Sequence, residues 1–358
     1  MTGPPRFIEF VDRKTPETAA LIEFLSPAIQ RNQHTNFGPV ADRLESTLMQ
    51  LNGADTTRAA VMVANATLGL QAAVCAFDNL CGRRLRWVTS DFGFFTSFIG
   101  PFHDQRLVAC SANGMLTPDA LVDGDYDAIL ATNIFGLHER FEAIFDFARR
   151  HDKVLLIDNA AGFGALAPWH SDPPSGLLWA EVVSFHHTKP WGMGEGGAVF
   201  APADLCPVLR AAVNFGVGGG QRLEDIRWCT NGKLSELAAA QILTRVETRD
   251  HWIPGFRDQA QRMMDLGQQA GLHPLVPVPP TRAVPGQIAF QHDRPIALEA
   301  LENRHFRILK YYRPAPGSGA QARSLYDRAV NLPCHGDMAA LDDATILDTL
   351  DTVLRAAP

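Results

Sequence analysis

Lys189 stands in the stretch Ser184-Phe185-His186-His187-Thr188-Lys189-Pro190-Trp191-Gly192, between an apolar run at 180–185 and a glycine-rich turn that leads into a second apolar run at 196–200. Most lysines are solvated surface charges. A lysine enclosed by core elements loses hydration and its ammonium pKa falls, so the free amine becomes a nucleophile that can form a Schiff base and move protons as a general base. Asp158 ends the apolar run 154–157. The carboxyl edge of a parallel strand is where open α/β sheets bind ligands, although a turn or cap aspartate would occupy the same place. Thr67 falls where the run 59–63 gives way to a helical pattern starting near Leu68. Its hydroxyl and the exposed backbone N–H groups of that turn form an anion site, and a plain N-cap threonine is the other reading.

These residues need a scaffold that brings strand ends together. From about Thr57 the chain alternates apolar runs (59–63, 85–89, 128–132, 154–157) with amphipathic segments (68–77, 139–150). That alternation predicts βαβ units and a large, doubly wound, mainly parallel sheet. After Asn231 the pattern turns helical to about Arg249, with Ser235 or Asn231 as cap. The segment 273–286 carries five prolines and is expected to be a rigid connection. Beyond it, 287–291 is expected as a strand, 295–304 as a helix and 341–355 as a terminal helix. The predicted architecture is α/β: a large domain over residues 1–245, including an N-terminal arm, and a small C-terminal α+β domain over 246–358.

Composition narrows the partners. With 358 residues, 46% hydrophobic and 20% charged content, and a formal charge of −7, the chain reads as a globular protein with no basic face for nucleic acid. Six scattered cysteines lack metal or disulfide spacing, so reduced, mostly buried thiols are expected. No apolar stretch is long enough to span a bilayer and no basic start precedes an apolar run, so the expected location is cytoplasmic.

Several motifs in chain order resemble the DegT/StrS-type sugar aminotransferases, a pyridoxal-phosphate family of fold type I. They are Thr35-Asn36-Phe37-Gly38-Pro39 with Leu44-Glu45, Ala64-Asn65-Ala66-Thr67-Leu68-Gly69, Asp158-Asn159-Ala160-Ala161, the Lys189 stretch, and Asn231-Gly232-Lys233-Leu234-Ser235-Glu236. The resemblance implies that Lys189 holds pyridoxal 5'-phosphate as an imine and shuttles the proton, and that Asp158 pairs with the pyridine nitrogen. Ala66, Thr67 and Ser184 would hold the phosphate, and Asn231 would reach into a partner subunit's site, making the protein a homodimer with shared sites. Of three rings in 92–95, Phe92 is the one expected to stack on the cofactor. His186, Tyr312 and Arg313, with the loop 215–227, are expected toward substrate.

The resemblance further implies transfer of an amino group from glutamate or glutamine to a keto-sugar, nucleotide-linked; the alternative is a free keto-sugar or keto-cyclitol. Ala161 departs from the family's glutamine or histidine, and Asn65-Ala66-Thr67 from its Ser-Gly-Thr, which also raises a non-catalytic regulator on the same scaffold. The run Gly192-Met193-Gly194-Glu195-Gly196-Gly197 matches a dinucleotide fingerprint, but an apolar strand follows it where that fingerprint needs a helix. The paired histidines at 186 and 187 lack ligand spacing, so no metal is expected.

Overall fold

The computed structural model describes residues 7–53, 56–121, 124–166, 176–218, 221–222 and 228–355. Its main sheet contains β1 (Arg58–Val63), β2 (Trp87–Ser90), β3 (Arg106–Val108), β4 (Ala128–Thr132), β5 (Val154–Asp158), β6 (Trp179–Ser184) and β7 (Gly197–Pro202). They lie in the order β1-β7-β6-β5-β4-β2-β3. Only β7 runs against its neighbours, with Phe200 opposite both Ala60 and Glu181. The central strands β4, β5 and β6 are buried along their whole length. Continuous apolar runs of this kind belong to sheets covered on both faces.

The helices among the described residues are α1 (Thr18–Gln30), α2 (Pro39–Leu51), α3 (Ala66–Leu80), α4 (Glu142–Arg150), α5 (Cys206–Ala212), α6 (Glu236–Glu247), α7 (Arg249–Gln269), α8 (Ala320–Arg328) and α9 (Asp343–Arg355). On one face of the sheet, Leu44 of α2 and Ala239 and Leu243 of α6 pack with Ile129, Leu155 and Ile157. On the other face, Leu70 and Val74 of α3 and Leu209 of α5 pack with Val61, Leu130, Leu156 and Val182. The sheet is therefore doubly wound, as the alternation predicts. A second, antiparallel sheet joins β8 (His273–Pro274), β9 (Gln287–Gln291) and β10 (Ala329–Pro333). Its own apolar cluster includes Met263 of α7, Phe290, Leu332, and Ile346 and Leu350 of α9. A two-residue ladder, Arg313 opposite Gly93 and Pro314 opposite Phe92, ties the C-terminal segment to the loop after β2.

Two expectations need correction, and a third, the cap of the helix after Asn231, resolves to Ser235. Residues 295–304 form only a short 3₁₀ turn, Glu299–Leu301. The Asn303 side chain accepts the N–H groups of His305 and Phe306 and donates to the carbonyls of Leu301 and Phe306, so it closes the backbone before a helix can propagate. The helical pattern after Asn231 starts only at Glu236, where Ser235 caps it by accepting the Ala238 N–H at 3.2 Å. Of the six free cysteines only Cys75, Cys110 and Cys334 are buried. Among the described residues no helix is long and apolar enough to cross a membrane.

Candidate active site

Strand register collects the candidate residues along one edge of the main sheet. Thr132 lies opposite Asp158, Ser184 opposite Gly197, and Gly197 opposite Val63, the last residue before the turn into α3. A Cβ at Gly197 would fall 2.8 Å from the Ala66 nitrogen, so only glycine lets β7 start so close to that turn. Asn65 is the N-cap, accepting the Leu68 N–H at 3.0 Å. Thr67 therefore sits within the first turn, where the N–H groups of Ala66 and Thr67 have no intrahelical acceptor and face an anion's natural position.

Asp158 is 3% exposed; one oxygen accepts the Ala160 N–H at 3.1 Å and the other lies 3.4 Å from Ser97 Oγ. Burial pushes its carboxyl pKa up, and the positive charge of Lys189 opposes that rise. Burial lowers the Lys189 ammonium in turn, again opposed by Asp158. The two groups act on each other's charge with no direct ion pair between them. Lys189 projects from a tight turn in which its N–H donates to His186 O at 2.8 Å and its carbonyl accepts the Gly192 N–H at 2.9 Å. A Cβ at Gly192 would lie 2.0 Å from His186 O, which excludes any other residue there. Ser184 Oγ accepts the His186 N–H at 3.2 Å at the start of the same loop.

Tyr312 arrives from the C-terminal segment in a left-handed conformation, φ 60°. Its hydroxyl donates to Asn133 O at 3.4 Å, and burial, aided by the Asp158 charge, raises its phenol. Arg313 turns away: it is exposed, with its guanidinium 5.3 Å from the Phe95 ring. His186 is half-buried, its Nδ1 2.8 Å from Thr188 Oγ1 and its Nε2 3.5 Å from Glu195. Phe92 is 1% exposed and its ring lies 6.4 Å from Phe135, inside the apolar cluster of the smaller sheet. Phe94 and Phe95 are both accessible, at 40% and 56% exposed, and Phe94 lies 6.1 Å from the Tyr312 ring. Asn231 is exposed and accepts from Lys233 Nζ at 2.7 Å, while the next residue's carbonyl accepts the Ala64 N–H at 2.6 Å. That segment thus runs beside the Ala66 turn of its own chain. Residues 219–220 and 223–227 of the expected substrate loop lie outside the described residues.

Sequence reasoning did not find Ser97, nor the polar chain beneath Asp158. Asn133 Nδ2 donates to Asn159 Oδ1 at 2.8 Å, and Asn159 Nδ2 donates to Glu181 Oε1 at 2.5 Å. Their signal is faint: Asn133 follows the run 128–132, and Asn159 follows Asp158 at the end of the run 154–157.

A family model of the DegT/DnrJ/EryC1/StrS aminotransferases matches residues 17–351. The chain is 27% identical over 289 residues to Protein Rv3402c of Mycobacterium tuberculosis, spanning 74% of this chain and 69% of that one. It is 26% identical over 259 residues to the dTDP-4-amino-4,6-dideoxy-D-glucose transaminase of Shigella dysenteriae, spanning 67% and 65%. In fold it matches DesI, crystallised in the presence of its TDP-sugar product, with a TM-score of 0.75 and 23% identity over 99% of this chain and 93% of DesI. The fold is that of the type I pyridoxal-phosphate-dependent aminotransferases. The residues at and beside the sheet edge fit that cofactor: a part-buried amine whose ammonium is disfavoured, a buried carboxylate with no cation in contact among the described residues, and a helix N-terminus kept open by Gly197.

Proposed function

The chain belongs to the DegT/DnrJ/EryC1/StrS aminotransferase family, and from that premise we propose that it converts a nucleotide-linked keto-sugar to an amino-sugar, with glutamate or glutamine as donor and Lys189 as the reactive amine. The observation that carries this reading is the placement of part-buried Lys189, on the turn after β6, near buried Asp158 at the sheet edge, the two coupled through their charges but not paired. When bound, pyridoxal phosphate supplies an aldehyde for the amine and a protonated ring that takes up the electron pair left on a deprotonated carbon. Asp158 holds that ring nitrogen protonated through a charge-assisted hydrogen bond. Ala66, Thr67 and Ser184 hold the phosphate.

Lys189, whose ammonium pKa burial lowers, would take a proton from the substrate carbon and return it one position away. Phe94, accessible beside Tyr312, takes the stacking position in preference to core-bound Phe92. His186 and Tyr312 face substrate, and Arg313 does so only by leaving its contact with Phe95. The exposed Asn231 serves a second copy of the chain, which makes the working unit a homodimer. We place the boundary between the large unit, 1–245, and the small one, 246–358, where α6 meets α7.

Borohydride reduction of the cofactor-loaded protein followed by peptide mapping tests the assignment: the label is expected on Lys189, and a label elsewhere overturns it. Half-reactions with keto-sugar nucleotides and with keto-cyclitols then separate the two substrate classes. A folded protein whose absorbance does not move on adding glutamate would instead mark a non-catalytic scaffold.

A further inference from the structure

Lys14 lies far from Lys189 in sequence, yet its side chain has no solvent exposure and its Nζ donates to the carbonyls of both His187 and Lys189 at 2.5 Å. The same nitrogen stands 3.4 Å from Asp12 Oδ1. Asp12 Oδ2 in turn accepts from Arg245 Nη2 at 2.7 Å, and Arg245 Nε donates to Pro190 O at 2.8 Å. The Arg245 guanidinium is stacked 3.9 Å over the Trp252 ring, which fixes it in place. Two cations bridged by one carboxylate therefore grip three carbonyls, at 187, 189 and 190. Enclosing an ammonium is costly unless it is paired and its donors are used, and here both conditions are met. The charged and titratable groups around Lys14 are Asp12, Arg245, Lys189 and His187. Burial holds Lys14 near 8, so it is mainly an ammonium at neutral pH. Residues 9–15 also wall a cavity of about 680 Å³ together with His187, Arg307 and Tyr311. Loss of the grip would free the lysine turn to shift on that side.

We propose that Lys14 is a positioning residue, the buried clasp of an N-terminal strap that fixes the backbone turn from which Lys189 projects. The proposal rests on Lys189 being the reactive amine, but its test does not need the cofactor. Cofactor-free wild type, Lys14→Met, Lys14→Arg and Asp12→Asn are compared by amide hydrogen exchange and by the pH dependence of Lys189 acylation, read by peptide mass spectrometry. In Lys14→Met the Lys189 and Gly192 amides are expected to exchange at least about tenfold faster, with peptides from α9 unchanged as an internal check on the fold. The acylation midpoint of Lys189 should rise by about one pH unit, since a neighbouring cation is lost. Lys14→Arg should restore most of both effects. In the loaded enzyme kcat should fall by up to roughly a hundredfold with little change in donor KM. Unchanged exchange and acylation in a folded Lys14→Met overturn the proposal. Should that variant not fold, Asp12→Asn decides the matter, because wild-type exchange of the 184–196 peptide in it would equally overturn the clasp. A misassigned Lys189 would show separately, as a borohydride label at another position while the exchange effect persists.

Discussion

Exchanging Asp158 for asparagine removes one charge and almost no volume from the base of the site. In the protein alone this carboxylate is 3% exposed and is held only by the Ala160 N–H at 3.1 Å and the Ser97 hydroxyl at 3.4 Å, with no cation in contact among the described residues. Its burial already disfavours the charged form. Asparagine keeps the acceptor for Ala160, and the Ser97 hydroxyl can rotate to suit the new amide. The stability of the cofactor-free protein should therefore change by no more than about 1 kcal/mol in either direction. With the cofactor bound the outcome differs, because the charged partner of the ring nitrogen is gone. A hydrogen bond to a charged group is worth about 1.5–3 kcal/mol, so the rate of the first half-reaction should fall roughly ten- to a hundredfold. Urea unfolding of the cofactor-free protein and stopped-flow single turnovers with glutamate give the two numbers. A variant that reacts at the wild-type rate would refute the role given to Asp158. One that unfolds several kcal/mol more readily while reacting normally would make the residue a structural anchor instead.

Two further predictions concern neighbours of the site. Glu181 is buried, has one oxygen without a partner, and is pushed from 4.5 up to about 8. The folded state then keeps a proton that the unfolded chain releases above its ordinary value, so wild-type stability should fall as pH rises from about 4.5 to about 8 and level off beyond. Glu181→Gln should lose less over that window, and urea midpoints with equal slopes for both proteins would contradict the burial argument. Phe92→Ala should cost about 3–5 kcal/mol, as a buried ring leaves a cavity. Phe94→Ala should leave stability nearly unchanged but weaken cofactor binding about fivefold, the worth of one ring contact; chemical denaturation and cofactor titration separate the two, and the reverse pattern would return the stacking role to Phe92.

The sheet was legible because burial on both faces writes itself into composition. The run at 128–132 coincides with β4, and the run at 154–157 falls one residue short of β5, since no polar residue interrupts either before the edge. Asp158 and Lys189 were legible for the opposite reason: each is a charge set against an apolar run, where solvation alone gives it no place. Strand β3, Arg106–Val108, left no such mark, because it is short, lies at the sheet's edge and is partly exposed. The choice of Phe92 over Phe94 could not be made from spacing. The preference proposed for Phe94 rests on the ladder that pairs Phe92 with Pro314 across more than half the chain and leaves the Phe92 ring in the apolar cluster of the smaller sheet.

The same distinction explains why the strap was invisible. Lys14 and Asp12 look like ordinary solvated charges in sequence, and only tertiary contact with Arg245 and the 187–190 carbonyls removes them from water. A sheet edge can position Asp158 and Ser184 by strand register alone, but Lys189 lies past the end of β6, on a turn closed by local bonds among residues 186–194. Contacts from outside the turn, to the carbonyls of 187, 189 and 190, add to those local bonds and hold the turn against the core. The groups that hold it must then be polar, because they bind carbonyls, and buried, because they exclude water. A paired Lys–Asp–Arg cluster meets both demands, where an apolar contact would leave the carbonyls unsatisfied.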